Sequence, residues 1–232
     1  MEGEEMKANY FMNFIYLFIF TSIIYSDRIY NYNISSFGFN VADCKVIYSD
    51  TLIVDEIMTK IKYRVVTNQF ISNFFEVDND YTIILDDHYN TFYYNKNTIQ
   101  PKVVNEIETK LENGVLSYNN SDVKIQKEDI NIFSVLYMIH IGDLESLSTI
   151  KLIEREGKYY DFKYLIDNNK IEIIMNELDS ENKGLIRHTD IFSWGLFLKD
   201  SHKTIIYNEE NKYIEKCIFK KGVTKITASL MN

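Results

Sequence analysis

The segment Ile53 to Thr67, IVDEIMTKIKYRVVT, decides the fold: Ile57, Ile61, Tyr63 and Val65 fall on one side of a two-residue period, and Glu56, Lys60, Lys62 and Arg64 on the other. Such alternation predicts a strand with one face in a core and one in water. The pattern continues in both directions. Upstream, Ile29 to Ser35 and Phe39 to Tyr48 alternate; downstream come Tyr81 to Leu85, Asn90 to Tyr94, Gln100 to Thr109, Gly114 to Asn119 and Val123 to Gln126. Asp86-Asp87, Asn95-Lys96-Asn97 and Asn119-Asn120-Ser121 read as the turns between them. Pro101 stands near a strand start, where a missing N–H does least harm.

Two stretches break the alternation. In Gln69 to Val77, Phe70, Ile71, Phe74 and Phe75 have the spacing of a short amphipathic helix lying on a sheet. Ile130, Phe133, Leu136, Tyr137, Ile139 and His140 recur at three and four residues, with Asp129 or Asn131 able to cap the start and Gly142 to close the end. Strands then resume at Thr149 to Glu156, Lys158 to Ile166, Lys170 to Asn176, Ile191 to Leu198, Thr204 to Tyr207, Lys212 to Phe219 and Val223 to Leu230. The expected fold is mainly β: a large antiparallel sheet, curled or closed into a barrel, with one or two short helices, preceded by an amino-terminal signal or anchor helix.

Composition agrees with a folded core. Of 232 residues 46% are hydrophobic and 15% aromatic, which excludes disorder, and 8 Gly with 1 Pro exclude collagen-like and linker-like chains. The net charge of −9 opposes nonspecific attraction to phosphate backbones, so nucleic acid is not an expected partner. Residues 8–26 carry no charge, and Phe14 to Ile24 is an eleven-residue apolar centre. That length matches a signal-peptide h-region better than the roughly 20 residues of a spanning helix. Residues 1–26 are therefore read as a signal peptide or membrane anchor, and 27–232 as a single β-rich domain. Without 1–26, which hold three acids and one base, the charge is −7.

Cys44 and Cys217 are the only cysteines. An oxidising compartment would allow a bridge between them, and the alternative, two unpaired thiols acting as small hydrophobes, is preferred. Without CxxC spacing no zinc site is expected.

The helical stretch Phe133 to His140, Phe-Ser-Val-Leu-Tyr-Met-Ile-His, resembles the Leu-Ser-x-x-Tyr-x-Leu-Arg helix of an exported bacterial family, domain of unknown function 3108. In the same order come Phe37-Gly38-Phe39-Asn40-Val41-Ala42, the Glu156-Gly157-Lys158-Tyr159-Tyr160 hairpin, and Phe197-Leu198-Lys199-Asp200 with basic Lys203. Asp43, His140 and Phe197 stand where that family has Gly, Arg and Trp, and its Pro after the basic residue is absent. The resemblance implies an exported β-rich envelope protein and supplies no catalytic residues.

Single residues point to little chemistry. Asp86-Asp87-His88 offers ligand atoms but sits on a turn, so no metal is expected. Ser134 lacks a GxSxG context, and Arg187-His188-Thr189-Asp190 reads as a solvated loop. Candidate ligand contacts are Trp194, Phe197, Tyr137 and His140; no cofactor and no catalytic residue is expected. The function expected from sequence is therefore non-enzymatic: a periplasmic or envelope-associated protein binding a lipid or other apolar small molecule. The alternative is a structural or assembly factor that contacts another envelope protein, with a hydrolase behind it.

Overall fold

Alternation translates into fourteen strands in the computed structural model, which describes residues 27–231 except 102, 120, 122, 127, 179–195 and 198. The first eight are β1 (Arg28–Ser36), β2 (Phe39–Ile53), β3 (Glu56–Thr67), β4 (Asp78–Leu85), β5 (Thr91–Gln100), β6 (Val103–Glu112), β7 (Val115–Tyr118) and β8 (Lys124–Gln126). After the helices follow β9 (Leu152–Arg155), β10 (Lys158–Asp167), β11 (Lys170–Glu177), β12 (His202–Asn208), β13 (Tyr213–Lys221) and β14 (Thr224–Leu230). The helices are α1 (Gln69–Ser72), α2 (Ile132–Ile141) and α3 (Leu144–Thr149).

All pairings in the sheet are antiparallel, in the order β8-β7-β6-β5-β4-β3-β2-β1-β14-β13-β12-β11-β10-β9. This is one up-and-down meander whose first and last strands meet in the middle, Tyr32 opposite Leu230. Its break falls between β8 and β9, where no ladder closes the curl among the described residues. The chain crosses that break through α2 and α3. Tight turns set the register: Phe37-Gly38, Asn113-Gly114 and Glu156-Gly157 hold positive φ at both central residues, the geometry that matches strand twist.

Ile132 to His140 are all buried, as a helix apolar on every side requires. Asn131 caps α2 by accepting from the Phe133 and Ser134 amides at 2.8 and 2.9 Å, and its own amide donates to Thr91 Oγ1 at 2.6 Å. Gly142 ends it at φ 76, where a Cβ would lie 2.3 Å from the Tyr207 hydroxyl. The helix starts against the beginning of β5 and ends between Tyr30, Tyr48 and the start of β13. It thereby plugs the end of the curled sheet opposite the Phe37-Gly38 turn.

Four segments differ from their sequence reading. Asn95-Lys96-Asn97 is the middle of β5, not a turn, because Lys96 is buried against Glu156 while Asn95 and Asn97 pair with Glu108 and Glu106. Leu196 and Phe197 are helical, not extended, and the rest of the expected strand Ile191 to Leu198 lies outside the described residues but for those two. Helix α3 stands where no element was expected; Asp143 caps it by accepting from the Ser146 amide. In β3, Ile61, Tyr63 and Val65 face inward as the alternation requires, while Ile57 is exposed and Met58 buried, since the hairpin tip before Thr59 pairs with β2 alone.

Candidate functional site: an apolar cavity and a buried clasp

The aromatic side chains are not spread evenly through the interior. Tyr63, Tyr81 and Tyr94 surround Phe133 at 5.1, 5.4 and 6.2 Å between ring centres and fill the half of the curl that α2 plugs. On the other half the inward positions of β1, β2, β13 and β14 carry smaller residues: Ile34, Ser36, Ala42, Cys44, Cys217 and Ala228. The difference in side-chain volume leaves a cavity of about 320 Å³.

Strand periodicity builds its wall. Tyr32, Ile34 and Ser36 from β1, Ala42, Cys44 and Val46 from β2, and Tyr63, Val65 and Thr67 from β3 line it at every second residue. Lys203 and Ile205 from β12 and Ile226 and Ala228 from β14 line the opposite side, and Leu136 of α2 forms the floor. Ile71 and the partly exposed Phe75, either end of the α1 turn, stand at the mouth. Polar groups are few. The Tyr32 hydroxyl donates to the Ile214 carbonyl at 2.8 Å, and the Lys203 ammonium, its pKa lowered by burial, donates to the Ser201 carbonyl at 3.2 Å. Both thiols are free; burial raises the pKa of each, Cys217 to about 12, so neither is a ready nucleophile.

A second buried cluster lies at the break in the sheet. The β9–β10 turn tucks inward, with Glu154, Arg155 and Glu156 all buried. Glu156 pairs with Lys96 and accepts from the Tyr94 hydroxyl at 3.0 Å, both on β5. Glu154 accepts from Tyr118 of β7 at 3.0 Å and from the Gly157 amide at 2.6 Å. These side-chain bonds tie the β9–β10 turn to β5 and β7 across the break that no ladder closes. Beside the clasp is a void of about 20 Å³, room for one water. The arrangement holds acids, a cation and phenols, all of them buried, and each carboxylate has hydrogen-bond partners within the protein.

Burial raises the Glu154 pKa to about 8, against the pull of the Gly157 amide and Tyr118 hydroxyl. Because the folded carboxyl keeps a proton that the unfolded one releases, its contribution to stability is complete below about pH 4.5 and is lost as pH rises through about 8. His140 acts in the opposite sense. Burial lowers it to about 4, so its contribution is complete above about pH 6.5 and is lost as pH falls through about 4. Melting curves from pH 5 to 9 should fall by several degrees at the alkaline end for the natural chain and stay nearly flat for Glu154→Gln. Equal alkaline loss in both would remove Glu154 as the cause.

The residues singled out from sequence lie elsewhere. Tyr137 stacks on Tyr48 and Tyr89, with ring centres 5.2 and 6.1 Å apart, and His140 sits 4.4 Å from both Tyr30 and Tyr48, its Nδ1 facing the Ile214 amide at 3.5 Å. Phe197 packs on Tyr160 at 4.7 Å under the Arg155 guanidinium at 4.3 Å, while its neighbour Leu196 reaches the cavity. Trp194 lies outside the described residues. Ser134 donates to the Tyr89 carbonyl at 2.9 Å, as a core hydroxyl does. Asp86, Asp87 and His88 do come together, but Asp86 accepts from the His88 and Asn90 amides at 3.0 and 2.9 Å, which makes the group a β4–β5 turn. The cavity residues escaped the sequence reading because a small residue on a strand signals nothing until its neighbours across the sheet are known.

No family model matches the chain, and no curated protein matches it. A β-barrel-like protein of domain of unknown function DUF1849 from Brucella abortus is similar in structure, at 10% sequence identity and a TM-score of 0.45, over 90% of this chain and 96% of that one.

Proposed function

We propose that the chain is an exported, non-enzymatic carrier that holds a lipid or another apolar small molecule in the cavity between β1–β3 and β12–β14. The observation that carries the reading is the cavity itself: about 320 Å³, walled mainly by aliphatic, small and aromatic side chains with Lys203 at one side, in the size range of small-molecule sites. The uncharged stretch of residues 8–26 and the short motifs resembling domain of unknown function 3108 support placement in the periplasm or envelope.

Protein isolated from its own envelope and extracted with organic solvent should release a stoichiometric apolar compound, visible as added mass in native mass spectrometry. Returning that compound to the stripped protein at about 100 times its Kd should raise Tm by about 5–10 °C, since such saturation stabilises by about 2.7 kcal/mol. Protein that is free of added mass and unmoved in Tm by fatty acids or phospholipids would overturn the carrier. A single dominant crosslinked envelope protein under those conditions would favour the assembly factor. Mass spectrometry of the mature amino terminus tests export, which fails if residues 1–26 remain in a cytoplasmic fraction.

A further inference from the structure

The mouth of the cavity is ringed by apolar side chains that face water. Phe70 and Phe74 are 70% and 78% exposed, stacked edge-on at 5.8 Å, and Phe37 and Phe39 of the β1–β2 turn are exposed as well. The register brings the β13–β14 turn to the same end, because Ser36 pairs with both Phe39 and Ile226. At its tip Val223 is 89% exposed.

Beside Val223 runs a row of bases. Lys220 pairs directly with Lys225 across β13 and β14 and with His202 across β12, and Lys221 donates to the Lys199 carbonyl at 2.7 Å. Like charges placed opposite one another on a sheet repel, and the arrangement is costly unless an anionic surface faces it. In a chain of net charge −9 this concentration of lysines at one end is a departure from the whole. The acids near the mouth include Glu76, Asp200, Asp43 and Asp78; Asp43 and Asp78 both stand at the level of Val66, and Asp78 is held by Arg64 at 2.9 Å. At the opposite end Leu52, Val54 and Ile57 are also exposed, but Asp50, Asp55 and Glu56 accompany them. At the mouth the apolar tips are flanked by lysines that stand directly opposite one another.

We propose that the mouth docks on an anionic lipid bilayer, with Phe70, Phe74 and Val223 entering the headgroup region and Lys220, Lys221 and Lys225 facing lipid phosphates. Aromatic rings favour that interface, and juxtaposed lysines add electrostatic attraction to anionic lipids. The tips stand on separate loops around an opening and form no single groove, which fits a fluid surface better than a folded partner. The inference deepens the carrier reading by naming where cargo would be exchanged, but its measurement is separate from cargo binding.

Residues 8–26 are uncharged, with the apolar centre Phe14 to Ile24, and would hold the full chain on any vesicle, so the readout must be local. Hydrogen exchange of the full chain should show amides 68–77 and 219–225 protected by vesicles of phosphatidylcholine with about one-third phosphatidylglycerol, less so as salt rises, with little effect of phosphatidylcholine alone. The protection should fall about tenfold in Phe70→Ser/Phe74→Ser and in Lys220→Glu/Lys225→Glu, and persist in Leu52→Ser/Val54→Ser. All six positions are exposed or at turns, so an unchanged melting curve is the check that each variant folds. Protection confined to residues 1–26, protection equal at both ends of the sheet, or mouth protection that appears without vesicles through self-association would each overturn the proposal. Cargo bound with no mouth protection would leave the carrier standing and remove the docking surface.

Discussion

Leucine at both Ala42 and Ala228 should abolish ligand uptake while leaving the fold intact. Both side chains point into the cavity from strands on either side of β1, and two Ala→Leu changes add roughly six carbons to a space of about 320 Å³. Burying a methylene is worth about 0.8 kcal/mol, so filling an empty apolar space has an upper bound of about 5 kcal/mol in the ligand-free protein. Steric adjustment around closely packed Ala42, where overpacking costs about 1–3 kcal/mol, takes back part of that. The expected result is a ligand-free Tm a few degrees higher, with affinity for the extracted compound weaker by at least about a hundredfold, or about 2.8 kcal/mol. The two changes move in opposite directions, so loss of folding cannot imitate them. A double variant that binds the compound unchanged would place the ligand elsewhere, and one that melts well below the natural chain would show that the cavity is not open space.

How far the sequence reaches depends on the distance over which each signal acts. Strand alternation and helix spacing are local, so the run of β strands and the Gly142 stop were legible before any pairing was known, and the cap was narrowed to Asp129 or Asn131, of which the fold uses Asn131. Features set by partners far along the chain were not. Lys96 between two asparagines looks like a turn, and becomes the centre of β5 only because Glu156, sixty residues later, neutralises it inside the core. The cavity is further from reach, since it exists through what Ala42, Cys44, Cys217 and Ala228, on three strands, leave unfilled. Of the candidates drawn from sequence, the fold uses Tyr137 and His140 as filler: they pack among Tyr30, Tyr48 and Tyr89.

The same long-range logic makes the clasp the weak seam of the sheet. Everywhere else neighbouring strands share backbone ladders, whereas between β8 and β9 the seam is held by the helical crossover, by a single backbone bridge from Glu154 to the Ile130–Asn131 segment, by the Tyr159 bond to Asp129 and by the Glu154 and Glu156 side chains. Removing one partner of a buried ion pair leaves an uncompensated charge, at a cost of about 3–5 kcal/mol. Lys96→Met should therefore lower Tm by about 6–20 °C. Adding Glu156→Gln to that variant should restore much of the loss, because the neutral amide keeps an acceptor for the Tyr94 hydroxyl without the orphaned charge. The damage should also be local. Exchange at β5, β7 and β9 amides should accelerate well before that at the β1–β14 ladder in the middle of the sheet. A loss of less than about 1 kcal/mol, or uniform acceleration across all strands, would mean that the crossover helix alone holds the edges together and the paired charges are incidental.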